Sequence, residues 1–296
     1  MRRGLVALAG LLVLTLLLAC QPTEKKFSGQ RALQHVAAQC AFGPRPVGSE
    51  ANRKTADYIA RTLQRYGWQV ERQDFVHQGY QVGNVIGKKG TGPLIILGTH
   101  FDTRPVADHD PTDRSQPVMG ANDGGSGTAV LLELARVLDA SATRKAQIWL
   151  VFFDAEDRGE LNDWEWSVGA RHFVATLTAE AQTRPEYVVI VDMVGDKDQR
   201  IFYEWTSSLW LQERIWQLAK TLGYGEQFIP QHGYTVIDDH TPFLNLGFTA
   251  ALLIDLDYPY WHTRYDTLDK ISADSLQRVG DVLETLLEGE PFAPSP

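Results

Sequence analysis

Basic residues are too few in this chain to form a face that binds nucleic acid. Its 296 residues include 28 Lys and Arg against 37 Asp and Glu, a formal net charge of −9 at pH 7, which argues against binding to a phosphate backbone. Glycine and proline, at 25 and 14 residues, are too few for a collagen-like or linker-dominated chain. With 44% hydrophobic and 22% charged residues, the composition is that of an ordinary globular protein, and nucleic acid is not an expected partner.

Cysteine is also scarce, and the first of the two cysteines closes a segment typical of export signals. A basic start is followed by a run of apolar, small or hydroxyl residues from Leu5 to Ala19, which is short for a membrane span but suits a secretory signal. The run ends Leu17-Leu18-Ala19-Cys20, which resembles the lipobox of bacterial lipoproteins. This resemblance implies a signal peptide over residues 1–19, a lipidated Cys20 and a tether over 20–29. The alternative is a plain signal peptide with a chance cysteine at its end.

A lipidated Cys20 would place the protein outside the cytoplasm, anchored to a bacterial membrane on its periplasmic or outer face. Cys40 would then be the only thiol left, so the exported part must be stabilised by its core and not by disulfides. Because Cys40 lies in a helical-looking stretch without a histidine nearby, we expect a buried structural cysteine and not a nucleophile.

Strand-like and helical patterns alternate along the rest of the chain. Apolar runs predict strands buried on both faces at 94–97, 148–153, 187–191 and 250–254. Helical spacing predicts helices at 55–66, 127–138, 169–177, 209–222 and 272–287. This alternation predicts an α/β fold, a three-layer α/β/α sandwich with a mixed, mostly parallel central sheet. Without an internal repeat or a second set of core elements, residues 30–290 are predicted to form one domain, followed by a tail over 291–296.

Acidic and histidine side chains stand at or after the ends of the predicted strands, where open α/β sheets bind ligands. Carboxylates and imidazoles from separate loops suit a divalent metal ion, and a further carboxylate beside them suits a general base. Each residue alone has a plainer interpretation, such as a helix cap or a solvated turn. Their convergence on one edge of the sheet favours a metal site, with these candidates: His100, Asp102, Asp123, Glu156, Asp157, Asp192, Asp238 and His262.

Four motifs identify a family that fits such a site. They are Phe42-Gly43-Pro44-Arg45-Pro46-Val47-Gly48-Ser49, Gly98-Thr99-His100-Phe101-Asp102, Asn122-Asp123-Gly124-Gly125-Ser126-Gly127 and the acidic pair after Phe152-Phe153. Together they resemble the motifs of the bacterial leucyl-type zinc aminopeptidases and of their relatives, the glutaminyl cyclases, over roughly residues 30–288.

The resemblance implies one zinc ion held by Asp123, Asp157 and His262. Glu156 would act as the acid and base, with Asp192 and Asp238 in a carboxylate network around it. Clustered carboxylates raise one another's pKa, which helps a base to return its proton near neutral pH. The chain departs from the family at position 157, where the usual ligand is Glu and this chain has Asp.

Two segments favour the cyclases over the aminopeptidases. Asp238-Asp239-His240-Thr241-Pro242-Phe243 is close to the Asp-Asp-His-x-Pro-Phe of cyclases, where aminopeptidases usually show Ser-Asp-His. Trp261 directly precedes His262, and Trp166 lies in an insertion where cyclases also have a tryptophan. The resemblance then implies a substrate pocket that includes Trp261, Trp166 and Ile237. There the N-terminal glutamine, or glutamate, of a peptide or protein would cyclise to pyroglutamate, ammonia leaving from glutamine.

Two other functions stay open. A two-metal aminopeptidase would bind a second ion through His100 and Asp192, with Asp123 bridging the two ions. In a cyclase, by contrast, His100 and Asp102 would not bind metal and would have only a supporting or structural role. The third possibility is a lipid-anchored protein that binds peptides without catalysis. The presence of Glu156 argues against it, because a protein that only binds has no need of a base that is not a metal ligand.

Overall fold

A six-stranded mixed sheet lies at the centre of the chain in a computed structural model, which describes residues 26–138, 145–179 and 184–289. The predicted signal peptide, Cys20 and the tail 291–296 lie outside the described residues. In chain order the strands are β1 (Gln69–His77), β2 (Tyr80–Gly90), β3 (Leu94–His100), β4 (Gln147–Phe153), β5 (Tyr187–Asp192), β6 (Ile201–Glu204), β7 (Phe228–Tyr234) and β8 (Ala250–Ile254).

Four neighbouring strands of the six-stranded main sheet pair in parallel. The sheet order is β1-β2-β4-β3-β5-β8, with parallel pairing from β4 through β3 and β5 to β8. Strands β1 and β2 form an antiparallel hairpin that pairs antiparallel with β4. The hairpin turns at Gln78 and Gly79, both with positive φ, as a two-residue turn between twisted strands requires. A separate parallel pair consists of β6 and β7.

Helices cover both faces of the sheet. They are α1 (Gly29–Cys40), α2 (Glu50–Arg65), α3 (Gly125–Val137), α4 (Val168–Ala179), α5 (Leu209–Thr221), α6 (Thr241–Asn245), α7 (Ala273–Glu288) and a 3₁₀ turn over Leu268–Lys270. Alternate strand residues point to opposite faces, so Leu97 packs into a core shared with α1, α2, α3, α5 and α7. Ile96 packs into the core on the other face, under α4 and α6. The predicted three-layer α/β/α sandwich is therefore confirmed.

The predicted strands and helices are confirmed, and their observed ends differ from the predicted ends by a few residues. The four apolar runs are β3, β4, β5 and β8, and the five helical patterns are α2, α3, α4, α5 and α7. The hairpin and the β6–β7 pair were not predicted, because β1 and β7 are largely exposed and lack a continuous apolar run. Cys40, the last residue of α1, is partly buried, and burial raises the pKa of its thiol. Among the described residues, no helix combines the length and apolar character needed to cross a membrane.

Close contact between α3 and the sheet places the loop before the helix beside two strand ends. A Cβ at Gly127 would lie 2.3 Å from the backbone oxygen of Val191, so only glycine allows this approach. Gly124 adopts φ +75°, and a Cβ there would lie 2.3 Å from the backbone oxygen of Asp102. These two glycines bring Asp123 next to the ends of β3 and β5.

Candidate active site

The predicted site residues meet at the carboxyl edge of the parallel strands. His100 ends β3 and Asp192 ends β5. Glu156 and Asp157 lie in the loop after β4, and His262 lies in the loop after β8. Because parallel strands end at the same edge, the ends of four strands and the loops that follow them bring side chains distant in sequence to one place.

Asp123, Asp157 and His262 form the first group of possible metal ligands, the cavity cluster. Their ligand atoms lie within 4.8 Å of one another, with His262 Nε2 3.0 Å from Asp157 Oδ1 and 3.7 Å from Asp123 Oδ2. All three residues are buried. No hydrogen bond from a described residue reaches either oxygen of Asp157 or Oδ2 of Asp123. Buried carboxylate oxygens without donors are costly unless a cation faces them, and this donor set of two carboxylates and one imidazole fits zinc.

His100, Asp123 and Asp192 form a second group, the buried cluster. His100 Nε2 lies 3.0 Å from Asp192 Oδ1 and 3.1 Å from Asp123 Oδ1, so one ring nitrogen stands between two carboxylates. The pKa of His100 is raised well above its usual value, because the charge of Asp192 and hydrogen bonds to the surrounding carboxylates outweigh the lowering effect of burial. Asp123 belongs to both clusters, which is the arrangement that the two-metal alternative requires.

Glu156 sits beside the cavity cluster as a buried carboxyl. Burial raises its pKa well above the usual value, and the charges of Asp238 and Asp239 add to that effect. Ser167 Oγ lies 3.4 Å from Glu156 Oε1. Burial and the charge of Asp192 raise the pKa of Asp238 to about 7. A carboxyl whose pKa approaches neutrality can both take and return a proton, which is what an acid and base catalyst needs.

A cavity of about 300 Å³ opens onto the cavity cluster. Trp261 and Trp166 contact the imidazole of His262, with ring centroids 4.1 and 6.1 Å from it. Ile237 stands at the rim with 57% of its surface exposed. Of the predicted site residues, His100 and Asp102 do not line this space. The lining consists of Asp123, Glu156, Asp157, Glu160, Trp166, Asp192, Thr235, Val236, Ile237, Asp238, Leu256, Trp261 and His262.

Two buried carboxylates hold the loops that carry the site. Asp102 accepts hydrogen bonds from the backbone N–H groups of Glu156 and Asp157, at 3.0 and 3.1 Å. Asp266 accepts from the backbone N–H groups of Asn122 and Asp123, at 2.8 and 3.1 Å. Sequence reasoning assigned a supporting role to Asp102 but missed Asp266. Nothing in the pattern around position 266 distinguishes it from an ordinary loop aspartate.

Backbone strain is concentrated beside the same residues. Ala155 (φ 59°) precedes Glu156, Met193 (φ 45°) follows Asp192, and His262 itself has φ 55°. A left-handed conformation costs a residue with a side chain on the order of 1–3 kcal/mol, and such residues cluster at functional sites. The packing of the surrounding loops therefore maintains an unfavourable backbone where the candidate ligands and base are presented.

Known proteins resemble this chain over most of its length. Residues 82–287 match the sequence profile of peptidase family M28. Aminopeptidase YwaD of Bacillus subtilis (strain 168) is 30% identical over 201 residues, which cover 64% of this chain and 39% of that protein. The chain thus spans well under two thirds of the length of that relative.

Two solved structures cover nearly the whole described fold. The glutaminyl cyclase of Porphyromonas gingivalis has a TM-score of 0.83 and 32% identity, covering 89% of this chain and 99% of its own. A Zn-dependent exopeptidase from Parabacteroides distasonis ATCC 8503 has a TM-score of 0.83 and 30% identity, covering 90% of this chain and 100% of its own. With the family profile matched over more than half of its residues, the chain belongs to peptidase family M28.

Proposed function

We propose that the protein is a zinc-dependent glutaminyl-peptide cyclotransferase, which converts the N-terminal glutamine of peptides and proteins into pyroglutamate and ammonia. One observation carries this proposal. A buried glutamate with a raised pKa, Glu156, lines a cavity of about 300 Å³ that is walled by tryptophans and bordered by three candidate zinc ligands. Such a space suits one side chain and its α-amine, and the resemblance to the Porphyromonas cyclase supports the choice of substrate.

The cavity cluster would hold one zinc ion through Asp123, Asp157 and His262. Zinc bound there supplies a Lewis acid that polarises the γ-carbonyl of the substrate. The remaining chemistry belongs to side chains of this protein, and it depends on their positions around the substrate.

Glu156 takes a proton from the α-amine as that amine attacks the γ-carbonyl carbon. The new C–N bond closes a five-membered ring, and Glu156 returns the proton to the departing nitrogen, which leaves as ammonia. Asp192 and Asp238 share protons with Glu156 near neutral pH, because burial raises the pKa of all three. A group that takes and returns one proton balances the reaction without a water molecule.

The side chains that line the cavity position the substrate. Because the nucleophile is part of the substrate, the protein must select the rotamer in which the amine faces the γ-carbonyl and must exclude water. Trp166 and Trp261 offer flat apolar surfaces to the methylene groups of glutamine. Ile237 covers the rim, where the second residue of the peptide would leave the cavity.

A two-metal aminopeptidase is the second candidate, and the buried cluster is the observation that favours it. His100, Asp123 and Asp192 would supply the ligands of a second ion, and the Bacillus relative is named as an aminopeptidase. The cyclase is preferred because Asp238 and the tryptophan before His262 follow the cyclase pattern and both line the cavity.

Two peptides distinguish these functions. The full chain with zinc is incubated with a peptide that begins with glutamine and with one that begins with leucine. Ammonia release and the matching mass loss from the glutamine peptide alone would support the cyclase, whereas removal of leucine would show an aminopeptidase. Glu156→Gln should lower the rate by roughly 10²- to 10⁴-fold. Glu213→Gln, on the exposed side of α5, is the control.

We also infer that the protein is exported and anchored through lipid on Cys20. The basic start, the run from Leu5 to Ala19 and the lipobox-like end support this inference. In cells, the membrane fraction should contain the wild-type protein, and Cys20→Ala should release it. Membrane association that survives the substitution in a chain cleaved after residue 19 would disprove the lipid anchor.

A further inference from the structure

An arginine outside the two clusters contacts several parts of the cavity at once. Arg104 follows β3 and is only 3% exposed. Its guanidinium binds both oxygens of Asp108, with Nε 3.2 Å from Oδ1 and Nη2 2.6 Å from Oδ2. A planar fork of this kind fixes the orientation of the carboxylate as well as neutralising it.

Asp108 faces the ring nitrogen of His262 that points away from the cavity cluster. Asp108 Oδ1 lies 3.4 Å from His262 Nδ1, while Nε2 of the same ring lies 3.0 Å from Asp157 Oδ1. No described residue makes a well-aligned hydrogen bond to Nδ1, and the Asp108 carboxylate is the charged group that faces it. A carboxylate at Nδ1 places the ring proton there and leaves the lone pair of Nε2 for a metal ion.

The same guanidinium also contacts the loop after β4. Its Nη1 donates to the backbone oxygen of Gly159 at 2.8 Å and approaches that of Asp157 at 3.4 Å. Its central carbon lies 5.0 Å from the ring centre of Trp166, within the range of a cation–π contact. A Cβ at Gly159 would lie 2.0 Å from Trp166, so glycine is needed where the tryptophan crosses this loop.

We propose that Arg104 is a positioning residue that acts through Asp108. It sets the orientation of the His262 ring and the nitrogen that carries its proton, and it holds the Asp157 loop and the Trp166 side chain in place. This inference rests on the proposed zinc site and deepens it. A simpler role for Arg104 would be to neutralise the acidic surroundings by its charge alone. Arg104→Lys distinguishes the two roles, because lysine keeps the positive charge but lacks the planar guanidinium that binds two oxygens at once.

Zinc affinity of the purified full chain tests the proposal, measured by competition with a chelator of known affinity. Arg104→Lys and Asp108→Asn should each weaken zinc binding roughly 10- to 100-fold, the usual effect of losing a partner that orients a metal ligand. The matched control is Arg136→Lys, since Arg136 binds both oxygens of Glu133 on α3. It should leave zinc affinity within about twofold of the wild type.

Nitrogen NMR of the histidine rings in the zinc-loaded protein supplies a second readout that a merely structural role would not change. In the wild type His262 should carry its proton on Nδ1, and Asp108→Asn should shift that signal. Wild-type zinc affinity in Arg104→Lys, together with an unchanged His262 signal in Asp108→Asn, would overturn the proposal. Should Arg104→Lys fail to fold, Asp108→Asn decides alone, because its side chain is 30% exposed. Both measurements report zinc binding and the His262 ring and not turnover, so they stay informative if the protein fails the cyclase assay.

Discussion

The cavity cluster and the buried cluster share Asp123 but differ in what surrounds them. In the cavity cluster, Asp157 and His262 line open space beside two tryptophans, and the oxygens of Asp157 accept no hydrogen bond from the described residues. In the buried cluster, His100 lies outside that lining, and its Nε2 is within 3.1 Å of two carboxylates. Carboxylates raise the pKa of the imidazole in both clusters, but His100 Nε2 lies between two of them, whereas His262 Nε2 is close to Asp157 and 3.7 Å from Asp123.

This difference indicates how one edge of a sheet can support two chemistries. A cluster with unpaired acceptors beside a cavity suits a cation that meets the substrate. A cluster in which an imidazole pairs with carboxylates suits the storage of a proton. In the cyclase that we propose, the two clusters divide these tasks, whereas in an aminopeptidase both would hold metal.

Removal of the imidazole in the cavity cluster should have the largest effect. His262→Ala deletes one of three zinc ligands, so zinc affinity should fall by more than about 100-fold, and glutamine cyclisation should be lost with it. His172→Ala is the control, since His172 stacks on Phe75 away from the cavity. Retention of zinc binding by His262→Ala would place the metal elsewhere.

Substitution in the buried cluster should have a smaller effect of a different kind. His100→Gln keeps a polar group near Asp192 but removes the positive charge. The zinc content should stay at one per chain, and the cyclisation rate should fall by roughly 10- to 100-fold. Metal content is measured by elemental analysis of the purified protein. Two zinc ions in the wild type and one in His100→Gln would instead establish the two-metal aminopeptidase.

The sequence predicted the residues of the cavity cluster better than the residues that hold them in place. Strand ends in a parallel sheet must share one edge, so Asp192 and His262 could be placed together from apolar runs and motifs alone. Arg104 and Asp266 were missed because their roles depend on contacts with loops distant in sequence, and no periodicity encodes such contacts. The hairpin of β1 and β2 was missed for a related reason: an exposed edge strand needs little apolar sequence.

The carboxylates that hold the site loops should matter for stability more than for metal content. Asp102 lies between the clusters, 3.5 Å from His100 Nδ1, and accepts the N–H groups of Glu156 and Asp157. Asp102→Asn keeps one acceptor oxygen but turns an N–H₂ group toward a backbone donor. An unmet buried donor costs about 1–3 kcal/mol, which urea unfolding of the zinc-free protein should detect.

Asp266→Asn should give a loss of similar size, because Asp266 holds the N–H groups of Asn122 and Asp123 in the same way. Asp57→Asn, an exposed aspartate of α2, is the control and should leave the unfolding midpoint unchanged. Equal stability of all three variants would mean that the site loops do not depend on these carboxylates.

A buried carboxylate in neither cluster should show the smallest effect, and a dependence on pH. Asp255 follows β8, where burial and the charges of Asp196 and Asp257 raise its pKa to about 7. Between about pH 4 and pH 7 the folded state binds more protons than the unfolded state, so this residue lowers the free energy of unfolding as the pH rises. Asp255→Asn carries no charge at any pH and still offers an oxygen to the backbone N–H of Arg200.

The variant should therefore gain stability relative to the wild type between pH 4 and pH 8, by at least about 1 kcal/mol. The full shift in pKa corresponds to a larger value, and the donors that the amide adds without partners lower the stability of the variant equally at both pH values. Urea unfolding of both zinc-free proteins at the two pH values measures the difference directly. The carboxylates of the two clusters titrate equally in both proteins, so they cancel. A difference in stability that does not change between the two pH values would show that the pKa of Asp255 is not raised in the folded protein.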